Sequence, residues 1–246
     1  MPIRLRAALF HLSVSAFVVA LVIAFILVVW YPHPLDKAVD VRSVIYVLTA
    51  VDVTLGPLLT FIVYKKNKKS LRFDLSLIAT LQISALIYGV LSIAQGRPAW
   101  LVFNIDRFDL VQAQDIDSTR IGKASLQYRR APLFGPIWIA SRNPNNPEEK
   151  NALMLESALG GADLPQRIDL YTALSGEVEN LRAHSRDFDE LKRFNSMESI
   201  RLARKRWPEA DGWLPLAAKA QSMAVFIRRS DAKIVAVVEL RPWRGE

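Results

Sequence analysis

Three long apolar runs open the chain, and near residue 96 they give way to a stretch in which apolar and polar positions mix over short distances. The first run extends from Ala7 or Ala8 to Trp30, the second from Ser43 to Tyr64 and the third from about Phe73 to Ala94. Each has the length of ~20 residues that an α-helix needs to cross a bilayer. The pattern predicts membrane spans at about 8–30, 43–64 and 73–94, within a transmembrane domain of residues 1–96. Arg4 and Arg6 ahead of the first run also fit a signal peptide. The run is longer than the ~7–15 residues usual there and shows no small-x-small cleavage pattern. It ends in Trp30-Tyr31-Pro32, an aromatic pair of the kind that anchors a helix at a membrane surface, so a retained first span is expected.

The second run stops in Lys65-Lys66-Asn67-Lys68-Lys69-Ser70-Leu71-Arg72, five cations in eight positions. Cations flanking a span stay cytoplasmic, which fixes this loop inside. The connection His33–Arg42 balances Lys37 and Arg42 with Asp36 and Asp40, carries no positive bias and reads as a short polar loop outside. Three spans with a cytoplasmic N-terminus leave residues 97–246 outside, which in a bacterium with an inner membrane is the periplasm.

Residues 97–246 read as a mixed α/β domain. Ala99–Val111, rich in aromatic and branched residues, predicts a strand, and Pro136–Ala140 another. Asp115–Gln127 reads as a short helix. Asn146 as cap, Pro147 at the first helical position and Glu148-Glu149 in the first turn predict a helix that Gly160-Gly161 stops. Glu177–Phe194 reads as a charged helix, and Ser196–Trp207 as another with Ser196 or Ser199 as cap. Met223–Arg228 and Ile234–Leu240 predict a hairpin turning at Arg229–Lys233. The expected fold class is therefore a membrane protein with three transmembrane α-helices and a C-terminal mixed α/β periplasmic domain.

Charge and chemistry narrow the function. Of the net +8, residues 1–96 carry +5, from 9 Lys and Arg against 4 Asp and Glu. The excess thus marks membrane topology, where a nucleic-acid binder would concentrate it on the soluble domain, and no nucleic-acid partner is expected. With no cysteine, disulfides, thiolate metal sites and cysteine nucleophiles are excluded. His11, His33 and His184 are not spaced as metal ligands, and no nucleophile elbow, zinc-protease motif or P-loop occurs, so neither enzyme nor cofactor is expected. The basic group Arg201–Arg206 and the acidic pairs at Asp115 and Asp187 read as solvated faces.

The sharpest single residue is Asp52, near the middle of the second span. A carboxylate there costs about 2.5–3.5 kcal/mol on insertion scales and persists only with a partner, a proton or a water path. Two roles stand: a contact to a partner helix or ion, or an internal hydrogen bond to Ser13, Ser15, Gln82, Ser84 or Tyr88. Gly56-Pro57, one turn on, kinks the helix and opens either a groove or a packing bend. Asp52, Gly56, Pro57 and Gln82 form the candidate partner-binding group. Lys65, Lys66, Lys68, Lys69 and Arg72 form the candidate topology or lipid contact, chiefly as an orientation signal.

Several blocks together resemble the TfpX/TfpZ family of type IV pilin accessory proteins: Trp30-Tyr31-Pro32, Asp52-Val53-Thr54-Leu55-Gly56-Pro57-Leu58-Leu59-Thr60, Lys68-Lys69-Ser70-Leu71-Arg72-Phe73-Asp74-Leu75, Arg97-Pro98, Val102–Phe108 and Pro132-Leu133-Phe134-Gly135-Pro136. The helix opening at Pro147-Glu148-Glu149 belongs with them, and the likeness spans most of residues 30–160. The resemblance implies an inner-membrane chaperone or assembly modulator that serves a cognate major type IV pilin, with no enzymatic activity. The pilin's transmembrane helix and its periplasmic head are the implied partners. The alternative is a membrane-anchored periplasmic sensor or ligand-binding protein, which predicts a concave apolar pocket with convergent polar groups in residues 97–246.

Overall fold

A computed structural model describes residues 2–144 and 146–244 of the chain; Asn145, within the expected loop 143–147, and the last two residues lie outside the described residues. The chain forms two compact units, Met1–Trp30 with Asp40–Gly96, and Tyr31–Val39 with Arg97–Glu246.

The first unit consists of three helices long and apolar enough to cross a membrane, Ile3–Trp30, Val41–Val63 and Leu71–Gln95. The first is α1 (Ile3–Phe25) continued by a π-helical turn, Ile26–Trp30. The second is α3 (Val41–Ala50), a π-helical turn Val51–Leu55, and α4 (Gly56–Val63). The third is α5 (Leu71–Gln95). Phe10, Phe17, Val28, Ile62, Phe73 and Tyr88 are exposed, a surface for hydrocarbon. Close approach rests on small residues, as expected where lipid tails are as apolar as the helices. A Cβ on Gly89 would fall 2.1 Å from Leu48 Cδ1, so α3 and α5 meet through that glycine.

The second unit is built on a seven-stranded sheet in the order β4-β3-β1-β2-β5-β6-β7. Its strands are β1 (Pro98–Asn104), β2 (Arg107–Gln112), β3 (Ile137–Ser141), β4 (Tyr171–Ala173), β5 (Gly212–Ala217), β6 (Met223–Arg228) and β7 (Lys233–Val238). β1 runs antiparallel to β2 and parallel to β3, and β2 runs parallel to β5. The period-two alternation of side chains divides the core. Leu101, Phe103, Phe108, Leu214, Leu216, Val225 and Ile227 share one face with Leu181. Trp100, Val102 and Ile139 lie on the other with Tyr128 and Ile168, and Trp213, Ala224 and Phe226 with Phe188, Leu191 and Ile200. Both faces are covered, which is why all seven residues of β1 are buried.

Several expectations change. The single strand over 99–111 is a hairpin, because Ile105 takes φ +60° and turns the chain back. The helix expected at 115–127 is instead three short 3-10 turns, Ala113–Asp115, Ser118–Lys123 and Leu126–Tyr128. The long helix expected at 177–194 is α7 (Val178–His184) and a 3-10 turn, Phe188–Arg193. It breaks where Arg186 exchanges two backbone hydrogen bonds with Trp213, at 2.9 and 3.1 Å, a tertiary contact that outcompetes local helix propensity. The loop expected over 33–42 carries a short helix, α2 (Leu35–Ala38), buried in the sheet unit. The other two helices form as read. Asn146 Oδ1 accepts from the Glu149 amide at 2.7 Å at the start of α6 (Pro147–Ala158), and Ser196 Oγ accepts from the Ser199 amide at 3.1 Å before α8 (Met197–Arg206).

One nearly buried ion network ties the 3-10 turns to α6. Arg167 donates two hydrogen bonds to Asp169, both at 2.9 Å, and one to Glu156 at 3.1 Å. Arg120 donates to the same Glu156 at 2.7 Å and to Asp117 at 2.8 Å. Burial pushes the Asp169 carboxyl up, but the hydrogen bonds and charges of Arg167 and Arg120 outweigh it and hold it below the usual range. Hydrogen bonds from Thr119 and Arg120 hold Asp117 low as well. Carboxyls depressed on folding contribute stability above their unfolded pKa of ~3.9 and lose it as the pH falls toward their folded values. Arg167→Met is expected to cost the sheet unit about 2–3 kcal/mol at neutral pH, since it strands Asp169. It is also expected to flatten the acid loss of stability below about pH 4, read by denaturant melts at several pH values.

Candidate functional site

On the second span a polar line faces inward. Asp52, Gly56, Pro57 and Thr60 are buried, at spacings that put them on one side of α4 and the π-helical turn before it. α4 packs against both α1 and α5. Thr60 Oγ1 lies 2.6 Å from His11 Nδ1, a hydrogen bond between the first and second spans. Gln82, from α5, donates through Nε2 to the Asp52 backbone carbonyl at 3.0 Å. A Cβ on Gly56 would fall 1.9 Å from that same Nε2, so glycine is what lets the amide reach the carbonyl. That carbonyl needs an outside donor because the π-helical turn disturbs the regular ladder of hydrogen bonds.

The arrangement separates the two roles open for Asp52. Gln82 bonds its backbone, and among the described residues no hydrogen bond reaches its carboxylate. The residue is nonetheless only 3% exposed. The internal hydrogen bond from Ser13, Ser15, Gln82, Ser84 or Tyr88 to the carboxylate is thus not formed. The structure brings Asp52, Gly56 and Gln82 into one contact and places Pro57 beside it. The His11–Thr60 pair had no sequence signal, because a lone histidine and a lone threonine on two apolar runs do not announce their register.

The cationic loop stands apart. Lys65, Lys66, Lys68, Lys69 and Arg72 are all exposed, and Lys68 pairs with Asp74 at 2.7 Å.

Two of the clefts in the sheet unit flank its helices. One, of about 860 Å³, lies between the β1–β2 turn and α6, lined by Ile105, Arg107, Asp109, Met154 and Leu164. Burial pushes the Asp109 carboxyl up against the opposing charge of Arg107. No residue of α6 is buried, and Met154, Leu155 and the following Leu159 are exposed. The second cleft, of about 900 Å³, runs beside α8 between Phe188, Lys192, Met197, Arg201, Arg204 and Lys205. There the Arg204 guanidinium sits 5.0 Å from the Phe188 ring centre, so part of the basic group Arg201–Arg206 is held by stacking. Among the described residues no cluster of three or more His, Asp or Glu could hold a metal ion.

Comparison with known proteins gives this architecture a family. Residues 1–39 match the model of the fimbrial assembly protein FimB. The chain is 33% identical over 235 residues to the fimbrial assembly protein of serogroup E1 of Dichelobacter nodosus, covering 92% of this chain and 91% of that one. It is 36% identical over 174 residues to the serogroup I protein of the same organism, covering 70% of this chain and 67% of the relative. No solved structure matches the chain. Matched almost end to end by a fimbrial assembly protein, the chain belongs to the FimB family of fimbrial assembly proteins.

Proposed function

We propose that the protein is a non-catalytic inner-membrane accessory protein, of the TfpX/TfpZ kind, that acts as chaperone or assembly modulator for a cognate major type IV pilin. The observation that carries this reading is Asp52, a residue 3% exposed whose carboxylate takes no hydrogen bond among the described residues, inside a three-span unit of a fimbrial assembly protein. A carboxyl group kept inside a span with no hydrogen bond among the described residues fits an external partner. A pilin waits in the membrane as one apolar helix whose N-terminal amine is a cation of the right sign. Reaching Asp52 requires that helix to part the spans at the π-helical turn, next to Gly56, Pro57 and Gln82. The exposed apolar side chains on and after α6 offer a face for the pilin's head.

The topology proposed has the N-terminus and residues 65–72 in the cytoplasm and the sheet unit in the periplasm. Tyr31–Val39 and Arg97 onward fold as one unit, which supports it: the first loop and the C-terminal part share a membrane side, as three spans demand. A reporter active only in the periplasm is expected to work at the C-terminus and fail at Asn67; the reverse pattern rejects the topology.

The function is tested by purifying the tagged full-length protein in mild detergent and identifying what comes with it by mass spectrometry. A pilin subunit is expected. Recovery of lipid and general chaperones alone rejects the pilin reading, and a bound small molecule in the clefts would favour a sensor.

A further inference from the structure

The sheet unit follows directly on the third span in the chain. β1 begins at Pro98, and Arg97 stands two residues beyond the end of the third span at Gln95, within roughly 8 Å at ~3.8 Å per residue. Arg97 donates through Nε and Nη2 to the Pro132 carbonyl, at 3.0 and 2.9 Å. β3 is parallel to β1, with Ile137 opposite Trp100, so the loop Pro132–Pro136 enters the sheet at the edge where β1 starts. The turn Leu126–Tyr128 is held at the same edge, its Tyr128 ring 6.0 Å from that of Trp100 and its Arg129 Nε donating to the Ala124 carbonyl at 2.9 Å.

That edge is apolar at its tips and basic around them. Leu126 is 80% exposed, Leu133 66% and Phe134 76%, while Ala124 and Tyr128 between and beneath them are buried. Gly135, at φ +64°, and Pro132 and Pro136 fix the shape of the second tip. Lys123, Arg129 and Arg130 lie in the same segment, and no acid occurs from Ser118 to Asn146. Arg120 and Arg142, which flank it, are paired with Glu156 and Glu149. Exposed apolar side chains rimmed by cations match the chemistry of an anionic lipid surface.

We propose that the Leu126 and Leu133-Phe134 tips insert into the headgroup layer of the bilayer that holds the spans, with Lys123 and Arg130 on anionic headgroups. This surface clamps the start of the sheet unit to the membrane and leaves the opposite strand ends free for a partner.

The absence of cysteine makes the test clean. A nitroxide is placed at Phe134→Cys, at Leu126→Cys, and at Ser230→Cys in the exposed β6–β7 turn at the other end of the strands, in full-length protein in nanodiscs of phosphatidylethanolamine and phosphatidylglycerol. The ratio of collision with oxygen, which concentrates in the bilayer, to collision with a water-soluble nickel chelate is expected to be several-fold higher at 134 and 126 than at 230. Equal ratios at all three sites overturn the proposal. Protection of 134 and 126 from both reagents also overturns it, because protein rather than lipid then covers the tips.

Discussion

Replacing Leu35 by aspartate is expected to unfold the sheet unit, although the residue lies in a nine-residue segment between two membrane spans. Leu35 is 3% exposed and Ala38 0%, and both sit in the cluster formed by Leu101, Phe103, Phe108, Leu214, Leu216 and Val225. The Ala38 carbonyl accepts hydrogen bonds from the amides of Ala220 and Gln221 at 3.0 and 3.2 Å, and Lys37 pairs with Glu239 at 2.7 Å. That cluster is apolar, and burying an unpaired charge in it belongs with the most damaging single changes, on the order of 5 kcal/mol or more. Domains of this size hold about 5–15 kcal/mol in all, so little stability is left. Leu35→Met keeps the volume and is expected to cost less than about 1.5 kcal/mol. Limited proteolysis in detergent reads the difference: cleavage throughout residues 97–246 in Leu35→Asp, and a wild-type pattern in Leu35→Met. A wild-type pattern in both would show that the first loop is not part of the core.

That loop also marks the limit of what the sequence discloses. The three spans were legible because membrane insertion selects on length and composition, which are local properties. The caps of α6 and α8 and the β6–β7 hairpin were legible for the same reason: Asn146-Pro147, Ser196 and Arg229–Lys233 carry their own turn and cap chemistry. Residues Leu35–Ala38 show four positions of mixed polarity, and nothing local says that Leu35 and Ala38 face a sheet whose nearest strand begins sixty residues later. β5 was hidden by Pro215, which argues against a central strand. It is tolerated because the ladder to β2 pairs only Leu216 and Ala217, past the proline. The polar line on the second span was half legible. Asp52 and Gly56 stood out by type, but that Gln82 serves the Asp52 carbonyl and leaves its carboxylate alone depends on the helix register.

From that last detail follows a test in which stability and function move apart. Asp52→Asn keeps the shape and removes the charge, while Asp52→Leu removes charge and polarity together. If the carboxylate stapled the spans, Leu would strand a donor and melt early. No donor reaches it among the described residues, and Gln82 holds the backbone carbonyl, which either substitution retains. Leu also removes a group costing about 2.5–3.5 kcal/mol in hydrocarbon, so the Leu variant is expected to melt at or above the wild-type temperature in detergent. Both variants are expected to insert normally and to lose pilin co-purification at least about tenfold, the equivalent of 1.4 kcal/mol in binding. Such a gain in stability bought with function is common where a site keeps an unfavourable group for its partner. Lower melting of Asp52→Leu with normal melting of Asp52→Asn would return the residue to an internal role. Undiminished pilin recovery by both would exclude Asp52 as the contact and move recognition to the exposed side chains on and after α6.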